Sequence, residues 1–310
     1  MEFKQMLESV RNEPETILAS NKTIKDIVED EIKKLGNEAD LNHIDVSKVT
    51  DFSRLFKKRD FNGNISKWNV SNATDMEGMF SSSKFNGDIS EWDVSNVISM
   101  EDMFYKSKFN QDISKWNVSN VAYMCFMFSE SVFNENISNW NVSNVKDMFN
   151  MFSSSVFNKD ISEWCVRNVI SMEKMFYKSK FNGDLSGWDV SKVFNMSEMF
   201  HKSKFNKDIS QWNVSNVKNM CFMFSNSVFN KDISRWNVSN VKNMWGMFYK
   251  SKFNSDISQW NLSHITDIGS IFENSEFNQD ISNWNVSHIR FHNNAFKNCK
   301  IKDEFKPKFK

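Results

Sequence analysis

The chain repeats a 24-residue phrase, roughly F-N-x-D-I-S-x-W-N-V-S-N-V-x-x-M-x-x-M-F-x-x-S-x, ten times without insertion or deletion. It begins at Phe61, Phe85, Phe109 and so on to Phe277, and the array runs to about Lys300. A unit this short cannot enclose a core of its own. A fixed period in this range is the sequence signature of a solenoid, in which each unit buries its apolar face only against its neighbours. Residues present in every unit therefore serve the stack, and specific function belongs to positions that depart from the period.

Within a unit the apolar residues follow two spacings. Ile89-x-x-Trp92-x-Val94-x-x-Val97 matches a short strand with alternate side chains inward. Met100, Met103 and Phe104 then follow Val97 at helical spacing, with Ser95 or Asn96 as cap. These spacings predict an α/β solenoid of leucine-rich-repeat type, ten coils of short parallel strand plus short helix, about 48 Å long at the usual strand separation. Ten of the 11 Trp occupy one column, Trp68 to Trp284, which marks them as core.

The ends differ from the array. Residues 1–36 are expected to form a helical N-terminal cap, with Thr23-x-x-Asp26 as capping box, Ile24, Val28, Ile32 and Leu35 as apolar stripe, and Gly36 as terminator. Residues 37–60 form a degenerate first coil, with Ile44 standing where Trp would be. Residues 61–300 are the ten-coil array, in whose last coil His292 and Ala295 replace the two Met columns. Residues 301–310 read as a solvated, Lys-rich tail.

A formal net charge of zero gives no general attraction to nucleic acid or anionic membranes. No stretch reaches the roughly 18 apolar residues of a membrane span. MEFKQMLESVRNEPETILAS carries no continuous apolar run of a secretory signal, so the expected location is the cytoplasm, with a non-classical route to the surface or a host left open. The four cysteines form no C-x-x-C pair, and Cys125 and Cys221 share a column four coils apart, about 19 Å at strand spacing, too far for a disulfide. There is no G-x-S-x-G, Walker loop, Gly-rich dinucleotide turn or H-E-x-x-H, and serines that recur in every unit are not one activated nucleophile. The expectation is a protein without catalytic machinery or cofactor.

FNGDISEWDVSNVISMEDMF (85–104) and its nine sisters, opened by IDVSKVTDFSRLF (44–56), resemble the bacterial BspA-like leucine-rich-repeat surface proteins. The likeness is to the mycoplasma-type branch of unknown function, with 24–25-residue repeats, and covers about four fifths of the chain. It implies adhesion or interaction, often with export or a lipid anchor. The sequence departs from that pattern in showing no signal peptide and no N-terminal lipidation cysteine.

Several columns recur. Asn62, Asn86 and their equivalents to Asn278 suit a ladder that satisfies the backbone of successive turns. An acidic column (Asp88, Asp112, Asp160, Asp184, Asp208, Asp232, Asp256, Asp280) fits either Asx turns or a row of calcium sites. His264 and His288 share a column with His292 four residues on, so the three either converge on zinc or stand as degenerate caps.

Other columns vary. Lys67, Glu91, Lys115, Glu163 and Arg235 belong to a mixed-charge row expected on a concave strand face. Glu77, Glu101, Glu173 and Glu198 accompany Lys84, Lys108, Lys180 and Lys204, whereas Cys125-Phe126, Phe149 and Cys221-Phe222 accompany Val132, Val156 and Val228. Joint switching suggests that the two places touch. Tyr123, Phe126 and Phe149 should gather on coils three and four, and Phe222 with Trp245 on coils seven and eight, as partner-binding patches or as satellite core. The expected function is non-catalytic protein–protein interaction, as scaffold, adhesin or effector, with a protein partner of unspecified identity. The alternatives are a metal-binding protein, using the Asp column or the three histidines, and a structural protein that associates weakly end to end.

Overall fold

The computed structural model describes residues 15–309, so the expected cap residues 1–14 lie outside the described part. Successive units lie parallel in a register of one period. Asp51 bridges Asp75, Asp75 bridges Ser99, and the same column continues through Tyr123, Asp147, Ser171, Asn195, Asn219, Asn243 and Asp267 to Phe291. Regular elements are few among the described residues: β1 (Ile17–Leu18), α1 (Ile24–Leu35), β2 (Ile44–Asp45) and a 3-10 helix at Asp303–Phe305. β1 and β2 pair in parallel, Ile17 opposite Ile44.

The short strand and helix expected in each unit are replaced by turns. Trp92 N–H bonds to Ile89 O and Val97 N–H to Val94 O, which closes two turns where a strand was expected. From Met100 onward the N–H groups divide. Those of Met103, Tyr105 and Ser107 return three residues to Met100, Asp102 and Phe104, and those of Met100, Asp102, Phe104 and Lys106 go forward to Tyr123, Cys125, Met127 and Ser129 of the next unit. A helix would spend every N–H internally and leave nothing to hold the next unit. Two left-handed residues per unit enforce the alternative, such as Asp102 (φ 56°) and Lys106 (φ 54°). Most of these residues are not glycine, at a cost of about 1–2 kcal/mol each, and the inter-unit bonds offset it.

The side chains that the period marks as core are core. Phe, Ile, Trp, Val and Met columns are buried through the array. Ring columns stack along the axis, Phe80 on Phe104 at 5.8 Å and Phe104 on Phe128 at 5.7 Å. Each Trp of the repeat column donates its indole N–H to a carbonyl of the preceding unit, as Trp92 does to Ile65 O at 3.2 Å. Asn62 Oδ1 accepts Asn86 N–H at 2.8 Å, and this ladder repeats up the array.

At the N-terminal end Ile24 and Val28 are buried and Ile32 is partly buried against the core, but Leu35 is exposed and leaves the expected stripe. The capping contact starts three residues earlier than expected, with Thr23 Oγ1 accepting Ser20 N–H at 3.0 Å. At the other end the tail is not the solvated appendage its lysines suggest. It stays in register: Asn278 Oδ1 accepts Lys302 N–H at 3.1 Å, Ile281 N–H bonds to Phe305 O at 3.0 Å, and Ile301 is buried in the Phe column. Phe309 stacks on His292 at 4.1 Å. Ile301, Phe305 and Phe309 are apolar enough to cover the last unit, whatever the lysines between them do.

Candidate functional site

The turns after the Met columns form a ridge along the stack, and departures from the period collect there. In the third and fourth units Phe126 meets Phe149 edge to face at 4.9 Å, and Tyr105 of the second unit joins them at 6.1 Å. A longer strip runs over the fifth to eighth units. Tyr177 stacks on His201 (5.0 Å), His201 meets Phe222 (6.0 Å), and Phe222 meets Trp245 (4.5 Å) and Tyr249 (6.3 Å). Trp245 is 42% exposed, while Phe126, Phe149 and Phe222 are half-buried. Tyr123 stands apart in the bridge column between Ser99 and Asp147, with its ring exposed.

Tyr105, Tyr177, His201 and Tyr249 are ridge residues that the column reading did not single out. Their signal was present in the spacing alone: Tyr105 to Phe126 and His201 to Phe222 are both one period less three residues.

The backbone is bent to carry these rings. Phe126 (φ 57°) and Phe222 (φ 52°) occupy the left-handed position, unusual for bulky residues. The next unit makes room for the second strip. A Cβ on Gly246 would lie 2.2 Å from Phe222 Cε1, and one on Gly269 would lie 2.6 Å from Trp245 Cδ1.

Charges on the ridge pair between units, not seven residues apart within one. Arg54 Nε donates to Glu77 at 3.2 Å, Lys84 reaches Asp60 at 3.0 Å, and Lys174 bridges Glu198 at 3.3 Å. Lys106, Lys178 and Lys250 each lie over the neighbouring tyrosine ring at 5.0–5.1 Å. Burial, then the charges of Lys202, Lys178 and Lys174, lower the His201 pKa to about 4. Cys125 is buried, and burial together with Asp147 and Glu101 pushes its thiol pKa up, so it is held as the unreactive thiol.

The mixed-charge row sits at the Ile-Ser-x-Trp turn, not on a concave strand face. Lys67, Glu91, Lys115, Glu163 and Arg235 are all exposed there, and Lys115 pairs with Glu91 of the preceding unit at 2.7 Å.

The three histidines do not converge. His264 Nδ1 lies 2.7 Å from Ser239 O, the carbonyl that Asn bonds in this column, and His288 Nε2 lies 3.0 Å from the neighbouring carbonyl, Leu262 O. His292 is held by Phe309. Among the described residues no group of three or more His, Cys, Asp or Glu is placed to hold a metal ion. In the acidic column Asp88 Oδ1 accepts Ser90 N–H at 2.9 Å, and Asp112, Asp160 and Asp184 repeat the Asx turn. That backbone bond is the first cause holding these carboxyls below their ordinary pKa, so the column serves the Asx turn.

The family model described as "Mycoplasma protein of unknown function, DUF285" matches residues 25–132, 84–180, 107–209, 154–251 and 202–307. The chain belongs to this family. Each match spans roughly four 24-residue units, so the family's own span is a short stack of the kind seen here. Comparison with curated proteins and with solved structures gave no match. Among the described residues no helix is long and apolar enough to cross a membrane.

Proposed function

We propose that this chain is a non-catalytic interaction protein, a BspA-like solenoid of leucine-rich-repeat spacing that displays side chains on a rigid ridge. One observation carries the reading. Nearly every repeated Trp, Met, Asn and Asp is consumed by the stack, whereas most aromatic departures from the period, with Tyr123, Phe194 and Phe291 apart, collect on the outer turns. Exposed aromatic clusters on a rigid support are the usual anchors of protein interfaces. Rigidity keeps the ordering cost of binding low.

Affinity capture from cell extract with the intact protein, beside a variant with Ala at Phe126, Phe149, Phe222 and Trp245, tests this. Partners held by the intact chain and lost by the variant support it; identical sets exclude the ridge. We assign the protein to the cytoplasm on its free thiols, with display as a surface adhesin as the rival. Protease treatment of intact cells separates the two, since only a displayed protein is cut.

A further inference from the structure

The two ring clusters sit in opposite electrostatic settings. Around Tyr105, Phe126 and Phe149 lie Glu101, Asp102, Glu130 and Asp147, and Lys106 is tied to Glu130 at 3.4 Å. Beside the strip from Tyr177 to Tyr249 run two exposed rows of lysines, Lys178, Lys202 and Lys250, and Lys180, Lys204 and Lys252. Of these six only Lys252 has a carboxylate within ion-pair distance among the described residues, that of Glu276. Of the acids at the strip, Glu173 and Glu198 both contact Lys174, and Asp267 beside Trp245 accepts Gly269 N–H at 2.8 Å. The strip therefore joins rings in contact, unpaired cations on one flank, and a strained Phe222 fitted over a glycine the stack does not otherwise require.

Resting on the interaction reading above, we propose that the Tyr177–Tyr249 strip binds an extended acidic peptide segment, laid along the stack axis with apolar or aromatic side chains between its carboxylates. The rings take the apolar side chains, and Lys178, Lys202 and Lys250 meet the carboxylates. Units succeed one another at about 4.8 Å, so the strip spans about 14 Å, the length of four or five extended residues. Charge complementarity selects this partner. A nucleic-acid backbone carries phosphates at every step and would run against Glu173 and Glu198, whereas an acidic peptide can place apolar residues there.

The test is fluorescence anisotropy on the full chain with three labelled probes: a random Glu–Tyr copolymer, polyglutamate and oligouridylate. The copolymer should bind best, with affinity falling as salt rises. The double variant Lys178→Glu, Lys202→Glu should weaken it at least ten-fold and Trp245→Ala about ten-fold, while Lys146→Glu, an exposed lysine outside the strip, leaves it unchanged. Melting curves check that each variant is folded. The proposal is overturned if the lysine variant binds as the parent does, if oligouridylate binds more tightly than the copolymer, or if no copolymer binds. Were the copolymer ignored while the aromatic variant still lost its captured partners, the interaction reading would stand and this one would fall.

Discussion

Phe222 and Gly246 form the tightest fit on the ridge. Gly246 adopts φ 60°, and its missing side chain is the space that the Phe222 ring fills. Gly246→Ala should therefore destabilise the protein by about 1–3 kcal/mol, combining left-handed strain with an aromatic clash. Gly187 is the control, because a Cβ there meets nothing within 4 Å and its φ lies outside the strained region. Gly187→Ala should be neutral or slightly stabilising. Denaturant melts of the two variants check the contrast. The 24-residue period makes Phe222 and Gly246 neighbours, but that the ring fills the glycine's missing side chain is visible only in the structure, where both residues take the left-handed φ.

The ladders set the next level. Trp164 donates its indole N–H to Ile137 O at 3.1 Å inside the core. Trp164→Phe empties the space of the indole's second ring and removes one of the two hydrogen bonds at Ile137 O, which keeps Trp140 N–H, so a loss of about 1–3 kcal/mol is expected, read as a lower urea midpoint with unchanged slope. The exposed Asn ladder should tolerate Asn158→Ala better, at about 0.5–1.5 kcal/mol, because water can replace the amide oxygen at Asn182 N–H. The core face of each unit was legible, since Ile89, Trp92, Val94, Val97, Met100, Met103 and Phe104 are all buried. The element type was not. Apolar spacing reports which side chains point inward, and a run of turns with left-handed residues at Asp102 and Lys106 presents the same spacing as a strand and a helical turn.

The whole stack should weaken in acid, in two ranges. Burial and nearby lysines lower the His201 pKa to about 4 from 6.5, so the unfolded chain takes up that proton first. Its contribution is complete above pH 6.5 and lost as pH falls toward 4. Asp88, Asp112, Asp160, Asp184 and Asp232 have lowered pKa values, so their contribution is present above about pH 4 and lost below it. Thermal melts across this range should show both declines, and His201→Gln should remove the upper one alone. Removal of residues 301–310 should lower the melting temperature, because Ile301 leaves the Phe column and Ile281 N–H loses Phe305 O. The uncovered edge should then stack end to end, seen as a rise in mass by light scattering; no rise counts against self-association.

The sequence by itself determined the period, the register and the membership of the core, because an uninterrupted 24-residue repeat leaves one way to place each column. It also made Asn and Asp ladder or turn residues, since a column present in every unit has a structural task. Only the tertiary structure decided which backbone groups bond within a unit and which bond to the next. For the same reason it decided that Tyr177, His201, Phe222, Trp245 and Tyr249 form one strip beside unpaired lysines. Apart from Tyr177–His201, which share a column, those contacts join different columns of adjacent units, and their closeness follows from the path of the turns, which side-chain spacing does not encode.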